Sequence, residues 1–262
     1  GRSLSWALDF HSISYGDGGN WGPSAFFFKV ADRMGLRKTA LQAAMYFEQR
    51  DRIGWPQKEW AVKERHYVEI LYAADSIPTA EELKSAQALH EQEKTPVARV
   101  YNPMGWAAIA DDDTFPDLRM VVRGGSSRIK GHGMVDLLSV RCQIKGKTMI
   151  TGQNAGPHLL TTYTPRGHEL FSRSPGGHST LLVNGLGAPE GAQCKSTQTV
   201  EAEGLVGIRI DATGLCLPRP SWQDTFIGGL VLLIDSSYWL VIDRVEPNGR
   251  HWVESRFMTY AQ

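Results

Sequence analysis

The stretch GHGMVDLLSV, residues 131–140, carries a histidine between two glycines, His132, with Asp136 four positions on and an apolar run behind it. An imidazole titrates near neutral pH and both takes up and releases protons, so a histidine at the entrance to a strand suits general acid–base work. The ordinary use of an aspartate in such a loop is to accept hydrogen bonds from backbone N–H groups, and Asp136 is expected to anchor the turn. Met134 between them is expected to fill core space. Hydrolysis of a glycosidic bond would instead need two carboxyl groups about 5 to 9.5 Å apart. Asp111, Asp112, Asp113 and Asp136 offer carboxylates, but no pair is marked by its context, and DDDTFPD (111–117) has the pattern of a solvated turn.

The rest of the composition narrows the field. The 262 residues, 42% hydrophobic, suffice for one large domain or two ordinary ones. With 28 basic and 28 acidic side chains the formal charge is zero, which argues against a nucleic-acid partner. No apolar run reaches the ~20 residues needed to span a bilayer. Cys142, Cys194 and Cys216 lack the CxxC spacing of a structural zinc site and are expected as buried free thiols, although one disulfide is open to them.

Two periodicities divide the chain. Residues 1–97 read as helical. GPSAFFFKVADRMG places a proline near a helix start and Gly35 at its end, and LRKTALQAAMYFEQRD and PQKEWAVKERHYVEILYAAD carry apolar stripes at three- and four-residue spacing. Thr79 followed by Glu82 is a capping-box signature. Over residues 98–262 the period falls to two. LRMVVRGG, LLSVRCQIKGKTMI, STLLVNG, LVGIRIDA, GLVLLID, YWLVIDRVE and HWVESRFMTY read as strands, with a hairpin around Asp235–Ser237. The expected fold is α+β: helices first, an antiparallel β-sandwich second, with the boundary in EKTPVARVYNPMGW.

Three segments of the second half resemble the heparinase II/III-like polysaccharide lyases. RGGSSRIKGHGMVDLLSV is similar to the family's H-x-H-x-D motif, ELFSRSPGGHSTLLVNG to a later segment in which a histidine precedes a strand and a glycine turn, and LVLLIDSSYWLVIDRVEP to a sandwich hairpin. The resemblance implies an N-terminal α/α toroid, here incomplete, joined to the sandwich. It also implies β-elimination on an acidic, uronate-containing polysaccharide and a periplasmic or secreted address. By position, His132 matches the catalytic histidine and Tyr163, in LLTTYTP, a tyrosine of the sandwich. Tyr15, in SYGDGGNWG, is the candidate for a tyrosine contributed by the toroid. Arg128, Lys130 and Asn20 are candidates to neutralise the uronate carboxylate, and Trp21 and Trp106 to stack on sugar. Arg166 and Arg173 also flank the motifs and offer charge to an acidic polymer.

The sequence departs from the family pattern where many members hold zinc or calcium. His178 matches a metal-ligating histidine, but the second histidine of H-x-H-x-D is Met134, and the aspartate expected after the next strand is replaced by TMITGQNAG, with Thr151 and Gln153 nearby. A thioether does not suit calcium and is unusual for zinc. No tightly bound metal is expected, and Asp136 and His178 are expected to support the site structurally. Two other functions stand beside the lyase: a carbohydrate-binding or scaffolding protein that keeps the architecture, and a glycoside hydrolase.

Overall fold

The two-residue period of the second half becomes stacked antiparallel sheets. The computed structural model describes residues 3–4, 13–14, 26–41, 44–45, 75–76, 78–92, 95–102, 104–113, 116–127, 133–145, 147–153, 159–213, 226–246 and 249–259. Its contacts divide the chain into two compact units, one of residues 1–4, 13–19 and 95–262, the other of 5–12 and 20–94.

The larger unit opens with a short pair, β1 (Ser3–Leu4) and β2 (Ile13–Ser14). A five-stranded meander follows: β3 (Val97–Tyr101), β4 (Trp106–Ala110), β5 (Leu118–Arg123), β6 (Val140–Ile144) and β7 (Lys147–Ile150), adjacent in that order. β8 (Leu181–Val183) pairs with the last strand, β13 (Val253–Ser255). Between them lies a four-stranded sheet of β9 (Ser196–Ala202), β10 (Leu205–Asp211), β11 (Phe226–Ile234) and β12 (Tyr238–Glu246). Ala107, Ile109, Met120 and Val122 of the first sheet share one core cluster with Ile208, Ile210, Val231 and Leu233 of the second, together with Leu181 and Val183. Two sheets joined by one apolar layer are a sandwich.

Alternation gives this architecture its register. In β12, Trp239, Val241 and Val245 pack on the core, while Tyr238, Leu240 and Ile242 point outward. Its hairpin with β11 pairs Ile234 with Tyr238 and Phe226 with Glu246. Asp235 and Ser236 make the turn at φ +48° and +50°. The short polar side chain of aspartate tolerates this left-handed conformation better than most residues.

Five strands fall outside the sequence expectation: β1 and β2, which lie among residues expected as helix, and β3, β4 and β9. β4 is buried along its whole length, so WAAIA shows no alternation to read. β9 closes the edge of its sheet with a mostly polar sequence, STQTVEA. The expected boundary at 97/98 falls inside β3, which starts at Val97. The aspartate run is also less solvated than expected. Asp112 is buried, and Asp111 Oδ1 accepts the Leu118 N–H at 2.9 Å, pinning the start of β5. Cys142 and Cys194 are buried and in no disulfide, and burial pushes the Cys142 thiol up to about 11. Cys216 lies outside the described residues.

The smaller unit is helical where it is described. α1 (Phe26–Arg33) ends at Gly35, whose φ is +67°; Gly35 N–H donates to Asp32 O at 3.0 Å and Leu36 N–H to Ala31 O at 2.8 Å. That pair of bonds is the Schellman arrangement, which needs the left-handed residue a glycine supplies. Residues 37–41 and 44–45 are helical. α2 (Ala80–Gln92) carries the expected capping box: Thr79 N–H donates to Glu82 Oε2 at 2.8 Å, and Glu82 N–H to Thr79 Oγ1 at 3.3 Å. Phe28, Ala31, Ala40 and Ala44 form a small core with Leu83 against it. Apart from Asp75, the helix expected over PQKEWAVKERHYVEILYAAD lies outside the described residues. No helix among the described residues is long and apolar enough to cross a membrane.

Candidate active site

The segment that follows His132 enters the sandwich through a network of buried charge. Residues 133–139 run from Gly133 to a turn at Asp136–Ser139, where Leu138 sits at φ +63° and Ser139 N–H donates to Asp136 O at 3.1 Å. Two bonds lock this turn to the end of β5: Leu138 N–H to Arg123 O at 2.8 Å and Arg123 N–H to Ser139 O at 2.9 Å. Asp136 is 1% exposed, and its Oδ1 accepts Arg123 Nε at 3.1 Å. The same guanidinium donates through Nη2 to Ser126 O at 3.0 Å and lies 4.5 Å from the centroid of the Trp106 ring. Trp106, the candidate sugar platform, is buried beneath that cation, with Arg123 on one face of its ring.

His178 is fully buried on the other side of this network. A Cβ at Gly152 would collide with its Nδ1 and come within 3.3 Å of Arg141 Nη2, so glycine is required for the imidazole to pack there. Among the described residues neither ring nitrogen has a hydrogen-bond partner of good geometry, though the Ser172 backbone favours the protonated ring. Burial pushes the His178 pKa below the ordinary 6.5; Asp136 opposes the shift and Arg141 adds to it. A depressed pKa in the folded state means that the unfolded chain binds the proton first. The stability associated with a neutral His178 is therefore complete above about pH 6.5 and is lost as pH falls toward the folded value. Within that window the loss approaches about 1.4 kcal/mol per pH unit for one proton. Urea midpoints from pH 8 to 5 should fall more steeply for the wild type than for His178→Asn; parallel curves would show that His178 is not the group responsible.

The neighbouring backbone is tied to this histidine on both sides. Ser179 Oγ donates to Thr151 O and accepts Met258 N–H, Thr180 Oγ1 donates to Leu137 O at 2.6 Å, and Gln153 N–H donates to Gly177 O at 2.6 Å. Before His178 the chain makes three short 3-10 turns, Pro165–Glu169, Phe171–Arg173 and Pro175–Gly177, two of them opened by proline. They place Arg173 inside the protein, 3% exposed. Its Nε and Nη2 donate to Gly133 O at 3.2 and 2.7 Å, and its Nη1 donates to Thr162 O. Val135 N–H returns a bond to Arg173 O at 2.9 Å. One side chain thus joins the residue after His132 to the residue before Tyr163. An acidic polymer has no access to this guanidinium, so the expectation of Arg173 as a surface cation fails. Arg166 is exposed and bonded to Glu169 at 2.9 Å.

Tyr163 is half-exposed, on the solvent side of the Thr162 anchor. His132, Tyr15, Arg128, Lys130, Asn20 and Trp21 lie outside the described residues. A divalent ion would find a poor donor set among the described residues. His178 is joined by no cluster of three His, Cys, Asp or Glu groups, Asp136 Oδ1 is engaged by Arg123, and the Arg141 cation lies against the same glycine as the imidazole. At the two substituted positions, Met134 is packed in the core at 2% exposure and Thr151 Oγ1 is turned to Gly152 O at 3.0 Å.

Residues 93–261 match the family model described as "Heparinase II/III-like, C-terminal". The chain belongs to this heparinase II/III-like family, one of polysaccharide lyases. Among solved structures, the heparan sulfate lyase HepC from Pedobacter heparinus aligns over 93% of this chain and 31% of its own, at 16% identity and a TM-score of 0.51. The BT4657 heparinase III gene product aligns over 95% and 41%, at 14% identity and a TM-score of 0.47. The chain therefore spans about a third of the length of the first of these lyases, and the likeness is one of fold. No curated protein matches the sequence.

Sequence reasoning missed Arg123 and Gly152 as parts of the site and read Arg173 as a cation facing the polymer. The signal available for Arg173 was SRSPGGH, where one proline and two glycines open a short turn directly after the arginine.

Proposed function

We propose that the chain carries out β-elimination on a 4-linked, uronate-containing polysaccharide, with His132 and Tyr163 sharing the base and acid roles. The observation that supports this reading is the joining of Gly133 and Thr162 by one buried guanidinium, beside a half-exposed Tyr163. The base removes the C5 proton, the electron pair forms the C4=C5 bond, and the C4–O4 bond breaks as the acid protonates the departing O4. The charge that develops on the carboxylate side needs donors or cations, for which Arg128, Lys130 and Asn20 are the candidates. Tyr15 is the candidate for a second phenol. The reading includes a sandwich that works with part of an α/α toroid over residues 1–97, in a periplasmic or secreted protein.

The test is the unsaturated product. Incubation with heparan sulfate, alginate or a glucuronate polymer should raise ultraviolet absorbance with at least one of them. Because the donor set around His178 suits a divalent ion poorly, dialysis against a chelator should change neither that rate nor the melting temperature. Binding without any gain in absorbance over all three polymers would favour the non-catalytic carbohydrate-binding reading, which the buried Met134 and Thr151 support.

A further inference from the structure

We propose that Arg173 is a positioning residue whose guanidinium sets the spacing between the His132 loop and Tyr163. This rests on the proposed lyase chemistry and adds to it a residue that touches no substrate. Three donor contacts of the side chain go to main-chain carbonyls, two to Gly133 O and one to Thr162 O, segments 29 residues apart in sequence. Each carbonyl lies one peptide from a residue assigned to proton transfer. The planar fork of a guanidinium fixes the direction of its bonds as well as their length, which an ammonium does not. The main chain of Arg173 is held in turn, its N–H donating to Leu170 O and its carbonyl accepting Val135 N–H, both at 2.9 Å.

The packing leaves the clamp no slack. A Cβ at Gly167 would fall 2.5 Å from Thr162 O and 2.9 Å from Arg173 Nη1, against both partners of one arm. Gly167 has an unremarkable backbone conformation, so its requirement for glycine comes from this close approach. Gly167→Ala therefore displaces the Thr162 arm while leaving Arg173 and its charge in place. It offers a second way to loosen the clamp should Arg173→Met fail to fold.

Proton transfer depends steeply on distance, and a misplacement of about 1 Å costs on the order of 100-fold in rate. With heparan sulfate as substrate, Arg173→Met should lower kcat by about that factor, and Arg173→Lys and Gly167→Ala by roughly 10-fold. KM should stay within about threefold for all three, because the polymer does not contact the clamp. A rise in KM with kcat preserved would overturn the proposal.

A second readout needs no turnover. The NMR titration of the His132 ring should shift on Tyr163→Phe in the wild-type background, because the two groups are held together. The same substitution should leave that titration unmoved in the Arg173→Met or Gly167→Ala background. An equal shift in all backgrounds, or none in the wild type, would overturn the role of Arg173. A wild type that shows the shift but yields no unsaturated product would overturn the lyase reading and leave the clamp standing.

Discussion

Replacing His132 with alanine should lower kcat by 10²- to 10⁴-fold while leaving polymer affinity nearly unchanged. The range is that of a positioned general acid–base group acting in the transition state. An interaction made only there lowers kcat and kcat/KM together and spares binding. Tyr163→Phe should act in the same direction, because it removes one oxygen from a half-exposed side chain and no packing around it. The double variant should be little worse than the poorer single one, since residues that work as a unit are strongly non-additive. Initial rates from the unsaturated product, with dissociation constants from titration, give all of these values. A His132→Ala protein with wild-type turnover would remove the imidazole from the mechanism. Loss of affinity without loss of kcat would make it a binding group instead.

The sequence spoke clearly where local rules act alone. The Thr79–Glu82 box, the Gly35 helix stop and the alternation of β12 each depend on residues within one turn or one strand, and each is found as expected. It was silent where burial comes from elsewhere in the chain. β4 has no alternation because both its faces are covered, and five residues of WAAIA cannot report that. The arginines show the same limit. Arg119, Arg123, Arg141 and Arg173 are all nearly or fully buried, against the usual habit of the residue. Arg173 is inside because Gly133 and Thr162, from distant segments, present carbonyls that satisfy its fork. The burial of Trp106 was hidden for the related reason that the cation on its ring arrives from the neighbouring strand, where Arg123 is its register partner. His178 was marked by family resemblance, but its complete burial follows only from the assembled packing.

Asp136→Ala should destabilise the sandwich by about 3–5 kcal/mol, the cost of leaving a buried ion without its partner. The pair is enclosed: Asp136 is 1% exposed and the Arg123 side chain 9%, with 3.1 Å between Nε and Oδ1. Arg123 keeps its bond to Ser126 O and its place on Trp106, so the guanidinium stays inside, still charged and short of one acceptor. Asp136→Asn retains an acceptor of the same shape and should lose much less. Arg123→Met strands the carboxylate instead, and Asp136 Oδ2 has no hydrogen-bond partner among the described residues, so this variant should be damaged as severely. The combined Arg123→Met/Asp136→Ala protein should then be more stable than the sum of the two losses predicts, because it leaves neither charge alone. Urea denaturation of the four proteins closes the cycle, and strict additivity would show that the pair contributes no coupling. The aspartate reaches further through His178, since it opposes the depression of that imidazole's pKa. Without Asp136 the folded-state value falls lower still, the unfolded chain keeps its preference for the proton over a wider range, and acid sensitivity should extend to lower pH. The anchor at the strand's entrance and the buried imidazole behind it therefore form one electrostatic unit, and the turn that carries the chain from His132 into β6 is stable only while that unit is complete.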